Sequence, residues 1–191
     1  MHCDEALDRL LTGNRRYAAM RQLHPRQTTT HRQQLIEGQN PFAVILSCSD
    51  SRVPSEMIFD QGLGDLFIVR TAGHTVNGLV LASVEYAVYA LNVPLVMVVG
   101  HQHCGAVSAV LQGLALPGHM AQLAENLWPA LRQVDRTAED VVEQAICANA
   151  RHTAHSLGNS SSVLSAALEK GQIGIVAAYY DLTTGMVSVL D

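Results

Sequence analysis

The chain is 191 residues long, 48% hydrophobic and only 15% charged, with a formal net charge of −5. That length fits one domain with a substantial core, and so few charges imply apolar surface buried between subunits. The acidic balance and scattered Lys and Arg exclude nucleic acid as the main partner; no apolar run is long enough for a membrane span, and no basic-then-apolar leader opens the sequence, so a cytoplasmic protein is expected.

Leu7, Leu10, Leu11 and Tyr17 form one stripe of a helix from about Asp4 to Met20, which His24-Pro25 breaks. Thr28-Thr29-Thr30 caps a short second helix over 31–37, ended by Gly38. These two helices either lie on their own sheet or reach across to a partner. Phe42-Ala43-Val44-Ile45-Leu46 reads as a buried strand, followed by a short helix over 55–60 that Pro54 opens. Leu66 to Val69 is a second strand, Val76 to Leu91 a long helix, and Leu95 to Val99 a third strand. A helix follows from Cys104 to Leu114, then helical stretches over 122–134 and from Thr137 to about Ser156. Gly158-Asn159-Ser160 reads as a turn before a further helix over 163–170. Ile173 to Tyr180 is the fourth strand, and Met186 to Leu190 returns as an antiparallel edge strand. The alternation predicts a three-layer α/β fold: four parallel strands and one antiparallel edge strand, flanked by helices. One domain is expected over 1–191, with 1–38 a helical arm and 39–191 the α/β core.

Chemistry-bearing residues gather behind two of the strands. The first runs into Ser47-Cys48-Ser49-Asp50-Ser51-Arg52, the third into Gly100-His101-Gln102-His103-Cys104-Gly105. Open parallel sheets present their sites at the carboxyl edges of strands. If these two strands are parallel neighbours, Cys48, His101 and Cys104 converge. Two thiolates and one imidazole make a three-ligand zinc set that leaves a fourth position open, as catalytic sites do. Singly, each cysteine is as well explained as a small core residue; together at two strand ends the metal reading is much the stronger. Asp50 and Arg52 lie two apart on extended chain and share a face, so beside a metal ligand they read as a dyad rather than a solvated ion pair. Cys3 and Cys147 read as bystanders. Gly62-Leu63-Gly64 lacks the spacing of a nucleotide loop and reads as a turn.

The pair Cys-Ser-Asp-Ser-Arg and His-Gln-His-Cys-Gly resembles the β-class carbonic anhydrases, from about Leu10 to the last strand. The resemblance implies one Zn2+ per chain, reversible hydration of carbon dioxide to bicarbonate, and a dyad of Asp50 and Arg52 that orients hydroxide on the zinc. Its spacing selects His101 rather than His103 as the imidazole ligand, and His103 is in any case too close to Cys104 in sequence for easy joint ligation. It further implies a substrate pocket of Gln39, Phe67, Ala72, Tyr86 and Gly105, several of them from a partner subunit. A homodimer or dimer of dimers follows, with the N-terminal helices packed on the neighbour. Core packing is the plainer account of Phe67 and Tyr86 without the resemblance, and a polar residue at a subunit contact is the plainer account of His74. Ile45 and Ser47 stand where some family members carry residues of a noncatalytic bicarbonate site, so Asp50 is expected on Arg52 near pH 8. Two other readings share the residues: a hydrolase of carbonyl sulfide or carbon disulfide, and a zinc-stabilised interaction module. The second has no need of Gln39, Asp50 or Arg52.

Overall fold

A computed structural model describes all of residues 1–191. Five strands form one sheet in the order β2-β1-β3-β4-β5: β1 Ala43–Cys48, β2 Leu66–Thr71, β3 Leu95–His101, β4 Gly174–Tyr180 and β5 Val187–Leu190. The first four are mutually parallel and β5 pairs antiparallel with β4. This is the expected architecture, including the adjacency of β1 and β3. Every residue of β1 and β3 is buried, because these central strands are covered on both faces.

The pleat sends alternate side chains to two cores. Val44, Leu46, Val96 and Val98 face α4 (Gly78–Leu91), α7 (Val141–Ser160) and α8 (Ser162–Glu169). Ala43, Ile45, Leu95, Met97 and Val99 face α1 (Cys3–Ala18) and α3 (Ser55–Ile58). A third cluster closes the carboxyl end of the sheet, where α5 (Gly105–Leu111), α6 (Ala121–Leu131) and α7 pack around Cys48 and Cys104. Of the two arrangements open to the N-terminal helices, α1 takes the first: Ala6 and Leu10 are fully buried on the sheet of their own chain. The short α2 (Thr29–Gln34) buries none of its residues.

Two stretches differ from expectation. Gly158-Asn159-Ser160 is the last turn of α7, not a break. Gly158 is there for close packing: a Cβ on it would come within 3.0 Å of Leu168 Cδ1 on α8. Asn159 satisfies itself within the helix, its Nδ2 lying 2.7 Å from His155 Nε2. At the other end α7 begins at Val141 rather than Thr137, because Asp135 takes the Thr137 N–H and hydroxyl at 2.9 and 2.7 Å and closes a local turn. No helix of the chain is long and apolar enough to cross a membrane.

Candidate metal centre

Register fixes where the chemistry collects. Ser47 pairs with Val99, so β1 delivers Cys48 and β3 delivers His101 at the same carboxyl edge. The chain then turns through His103, which has a positive φ of 55°, and Cys104 becomes the N-cap of α5. The ligand atoms of Cys48, His101 and Cys104 all lie within 4.8 Å of one another. All three residues are buried, Cys104 and His101 at 0% exposure and Cys48 at 5%. The sulfurs are 4.0 Å apart, close to the spacing of about 3.8 Å that two thiolates adopt on one tetrahedral zinc.

The imidazole is prepared for ligation. His101 Nδ1 lies 2.9 Å from the Gln102 carbonyl, and an oxygen acceptor there requires an Nδ1–H. The lone pair is then on Nε2, which is buried and has no hydrogen-bond partner. A buried unpaired acceptor costs free energy unless something fills the place, and second-shell orientation of this kind is usual for metal-binding histidines. Between the thiols a single proton is contested. Contact with the Cys104 thiol, helped by the peptide N–H groups of Asp50 and Gly73, pushes the Cys48 thiol down despite its burial. The same contact and burial push Cys104 up. A divalent cation removes that contest by binding both sulfurs as thiolates. The donor set therefore fits zinc.

Asp50 sits at the rim with its Oδ2 3.9 Å from His101 Nε2, too far for a hydrogen bond. Arg52 clamps it bidentately, Nε to Oδ1 at 2.9 Å and Nη2 to Oδ2 at 2.7 Å, and the Arg52 peptide N–H adds a third bond at 2.9 Å. The guanidinium holds the carboxyl well below the usual carboxylate range, against a smaller opposing effect of burial. Arg52 also reaches the His103 carbonyl at 3.3 Å, which ties the dyad to the second ligand loop. Arg70 on β2 donates to the carbonyls of Cys48 (2.9 Å) and Asp50 (2.6 Å), so it braces the backbone that carries both residues.

The pocket residues divide. Thr71 is the β2 partner of Cys48, so Ala72 lies beside the site, and Gly105 follows Cys104 directly. Phe67 pairs with Val44, four rungs from Cys48, or about 13 Å along the strand. It packs with Tyr86 at 6.2 Å between ring centroids. Gln39 is exposed in the loop before β1. Within one chain, then, Gln39, Phe67 and Tyr86 are not gathered around Cys48. His74 is fully buried within its own chain and within 2.6 Å of Asn149, which corrects its reading as a polar residue at a subunit contact. Sequence reasoning also passed over Asn149 and the peptide of Gly73, whose N–H points at Cys48 Sγ at 3.4 Å. The available signal was a polar Asn149 on a stripe with Ala145, Ile146 and Ala150, all buried on α7.

Comparison with known proteins agrees with this geometry. A family model described as carbonic anhydrase matches residues 43–187. The chain is 42% identical over 186 residues to carbonic anhydrase 2 of Mycobacterium tuberculosis, covering 95% of this chain and 90% of that one. It is 39% identical over 184 residues to a carbonic anhydrase of Mycolicibacterium smegmatis, covering 94% and 89%. Among solved structures, the β-carbonic anhydrase CcaA superposes with a TM-score of 0.78 at 28% identity, over 97% of this chain and 95% of that one.

Proposed function

The chain belongs to the β-class carbonic anhydrases, and from that premise we propose that it hydrates carbon dioxide reversibly on one zinc ion per chain, held by Cys48, His101 and Cys104. The observation that carries the proposal is a buried His101 with a ring nitrogen within 4.8 Å of both buried sulfurs and an Nε2 that has no hydrogen-bond partner. Zinc in such a site supplies a Lewis acid that makes water a nucleophile near neutral pH.

The residues around it do the rest. Asp50 is ionised and immobilised by its clamp from Arg52, so at this rim it can only accept a hydrogen bond. A hydrogen bond accepted from the attacking oxygen would turn that oxygen's lone pair toward the substrate carbon while its proton stays in place. Near pH 8 Asp50 stays on Arg52 rather than joining the ligands. Ala72 and Gly105 present little side chain at the site and leave room for a triatomic substrate.

A homodimer completes the pocket. On α4, Leu79 is 82% exposed, Tyr86 52% and Tyr89 79%, and next to them β2 is a half-buried edge strand. An apolar face of that kind marks an association surface. Placed against a second copy, it lets Gln39, Phe67 and Tyr86 of each chain serve the site of the other. The test is stopped-flow hydration of carbon dioxide before and after a strong zinc chelator. The proposal predicts rapid hydration that the chelator abolishes and added zinc restores; hydration at the uncatalysed rate from zinc-loaded protein would overturn it.

A further inference from the structure

Beneath Cys48 the chain makes a contact that neither ligand motif contains. After β2, Gly73 and His74 both adopt left-handed backbone, with φ of 65° and 45°. Glycine takes that conformation freely, whereas histidine does so at a cost. The pair persists because it is held. Asn149, 1% exposed on α7, places Nδ2 3.0 Å from the Gly73 carbonyl and 2.6 Å from His74 Nε2. A carbonyl only accepts, so the atom facing it is the amide nitrogen. Its second hydrogen is then given to His74 Nε2, which leaves the imidazole proton on Nδ1. Burial keeps this imidazole neutral, its pKa pushed down to about 4. Both hydrogens of one side chain are thus used to fix two successive left-handed residues. The product of that fixing is the Gly73 N–H, which is aimed at Cys48 Sγ from 3.4 Å. The turn has little freedom to drift, since a Cβ at Gly73 would already lie 3.2 Å from Ala106 Cβ and 3.4 Å from Leu127.

We propose that Asn149 is a positioning residue for this enzyme: through Gly73 and His74 it holds the peptide N–H that hydrogen-bonds the Cys48 sulfur, and so sets how firmly that sulfur keeps its metal. The inference rests on Cys48 being a zinc ligand, and the zinc content of the unaltered protein tests that separately. Hydrogen bonds to a ligand atom restrain its orientation and its charge, and losing such a partner typically costs about 10–100-fold in metal affinity.

The experiment is transfer of zinc to a chromophoric chelator, timed for the unaltered protein, Asn149→Ala and Asn14→Ala. Asn14 is the control because it is equally buried at 1% and bonds Ile58 O, Gly185 O and Val187 N, none of them at the site. Asn149→Ala is expected to release zinc about 10-fold faster or more. In cobalt-substituted protein it is also expected to move the thiolate-to-cobalt charge-transfer band. Asn14→Ala lowers stability but changes neither readout. Equal release from the two variants, or an unmoved band in Asn149→Ala, would reduce Asn149 to core packing and overturn the proposal. Should Asn149→Ala fail to fold, His74→Gly keeps a residue that tolerates left-handed backbone and removes the side-chain acceptor altogether. It is expected to accelerate release in the same direction, and an unchanged rate there refutes the inference.

Discussion

Replacing Arg52 by Ala separates two roles that a clamped carboxylate can play. The substitution deletes the bonds at 2.9 and 2.7 Å to Asp50 but keeps the peptide N–H of residue 52, also at 2.9 Å. Arg70 still braces the carbonyls of Cys48 and Asp50, so the proposed ligands should keep their places and the zinc content should not fall. The depressed pKa of Asp50 rises toward the carboxylate reference of about 3.9. At pH 7 a carboxyl with that pKa is still ionised in all but about one molecule in a thousand. Protonation is therefore too small an effect to slow the enzyme; what is lost is orientation of the acceptor. The expected result is a fall of about 10–100-fold in kcat, uniform from pH 6 to 9, with zinc content unchanged. Stopped-flow hydration across that range, paired with metal analysis, reads both. Near-normal turnover would make the dyad a surface ion pair, and a deficit that disappears at high pH would mean that Arg52 acts by keeping Asp50 ionised.

Further expectations follow from other contacts. Arg70→Ala frees the two carbonyls it holds, so faster zinc release should accompany its loss of turnover, in contrast to Arg52→Ala; identical release rates for the two variants would contradict the division of labour. Gly100→Ala places a Cβ 2.8 Å from Ile146 Cγ2 and 3.3 Å from Ile146 O, which wedges α7 off β3 and should cost about 1–3 kcal/mol of stability, seen as a lower midpoint in urea. Asp60 is buried, and although burial opposes ionisation, bonds from Leu23 N, Arg16 and His24 N hold its pKa below the usual range. A depressed folded-state pKa contributes stability above the unfolded value of about 3.9, and that contribution is lost as pH falls through the folded value. Asp60→Asn should thus lower stability at pH 7 and flatten its decline below about pH 4; parallel curves for the two proteins would refute this.

What the sequence disclosed was what local pattern encodes. β1 and β3 are unbroken apolar runs and the residues after them are unusual, so the strands, their shared edge and the convergence of Cys48, His101 and Cys104 could be read together. Helix ends set by packing could not: Gly158 looks like a breaker but serves the approach of Leu168. Contacts across long separations were equally hidden. Asn149 reaches Gly73 over 76 residues and Arg70 reaches Cys48 over 22, and neither spacing has a periodic signature. His74 read as a polar residue at a subunit contact because its polarity was visible and the Asn149 amide that meets it was not. Gln39, Phe67 and Tyr86 lie outside the site of their own chain, so only the family resemblance, and not periodicity, linked them to it.

The central claim is the identity of the zinc ligands, and X-ray absorption at the zinc edge of the purified protein tests it most directly. The structure predicts two sulfur scatterers at about 2.3 Å and one imidazole nitrogen at about 2.0–2.1 Å, with one sulfur lost in Cys48→Ser. A shell of nitrogen and oxygen alone, or an unchanged sulfur count in Cys48→Ser, would contradict it.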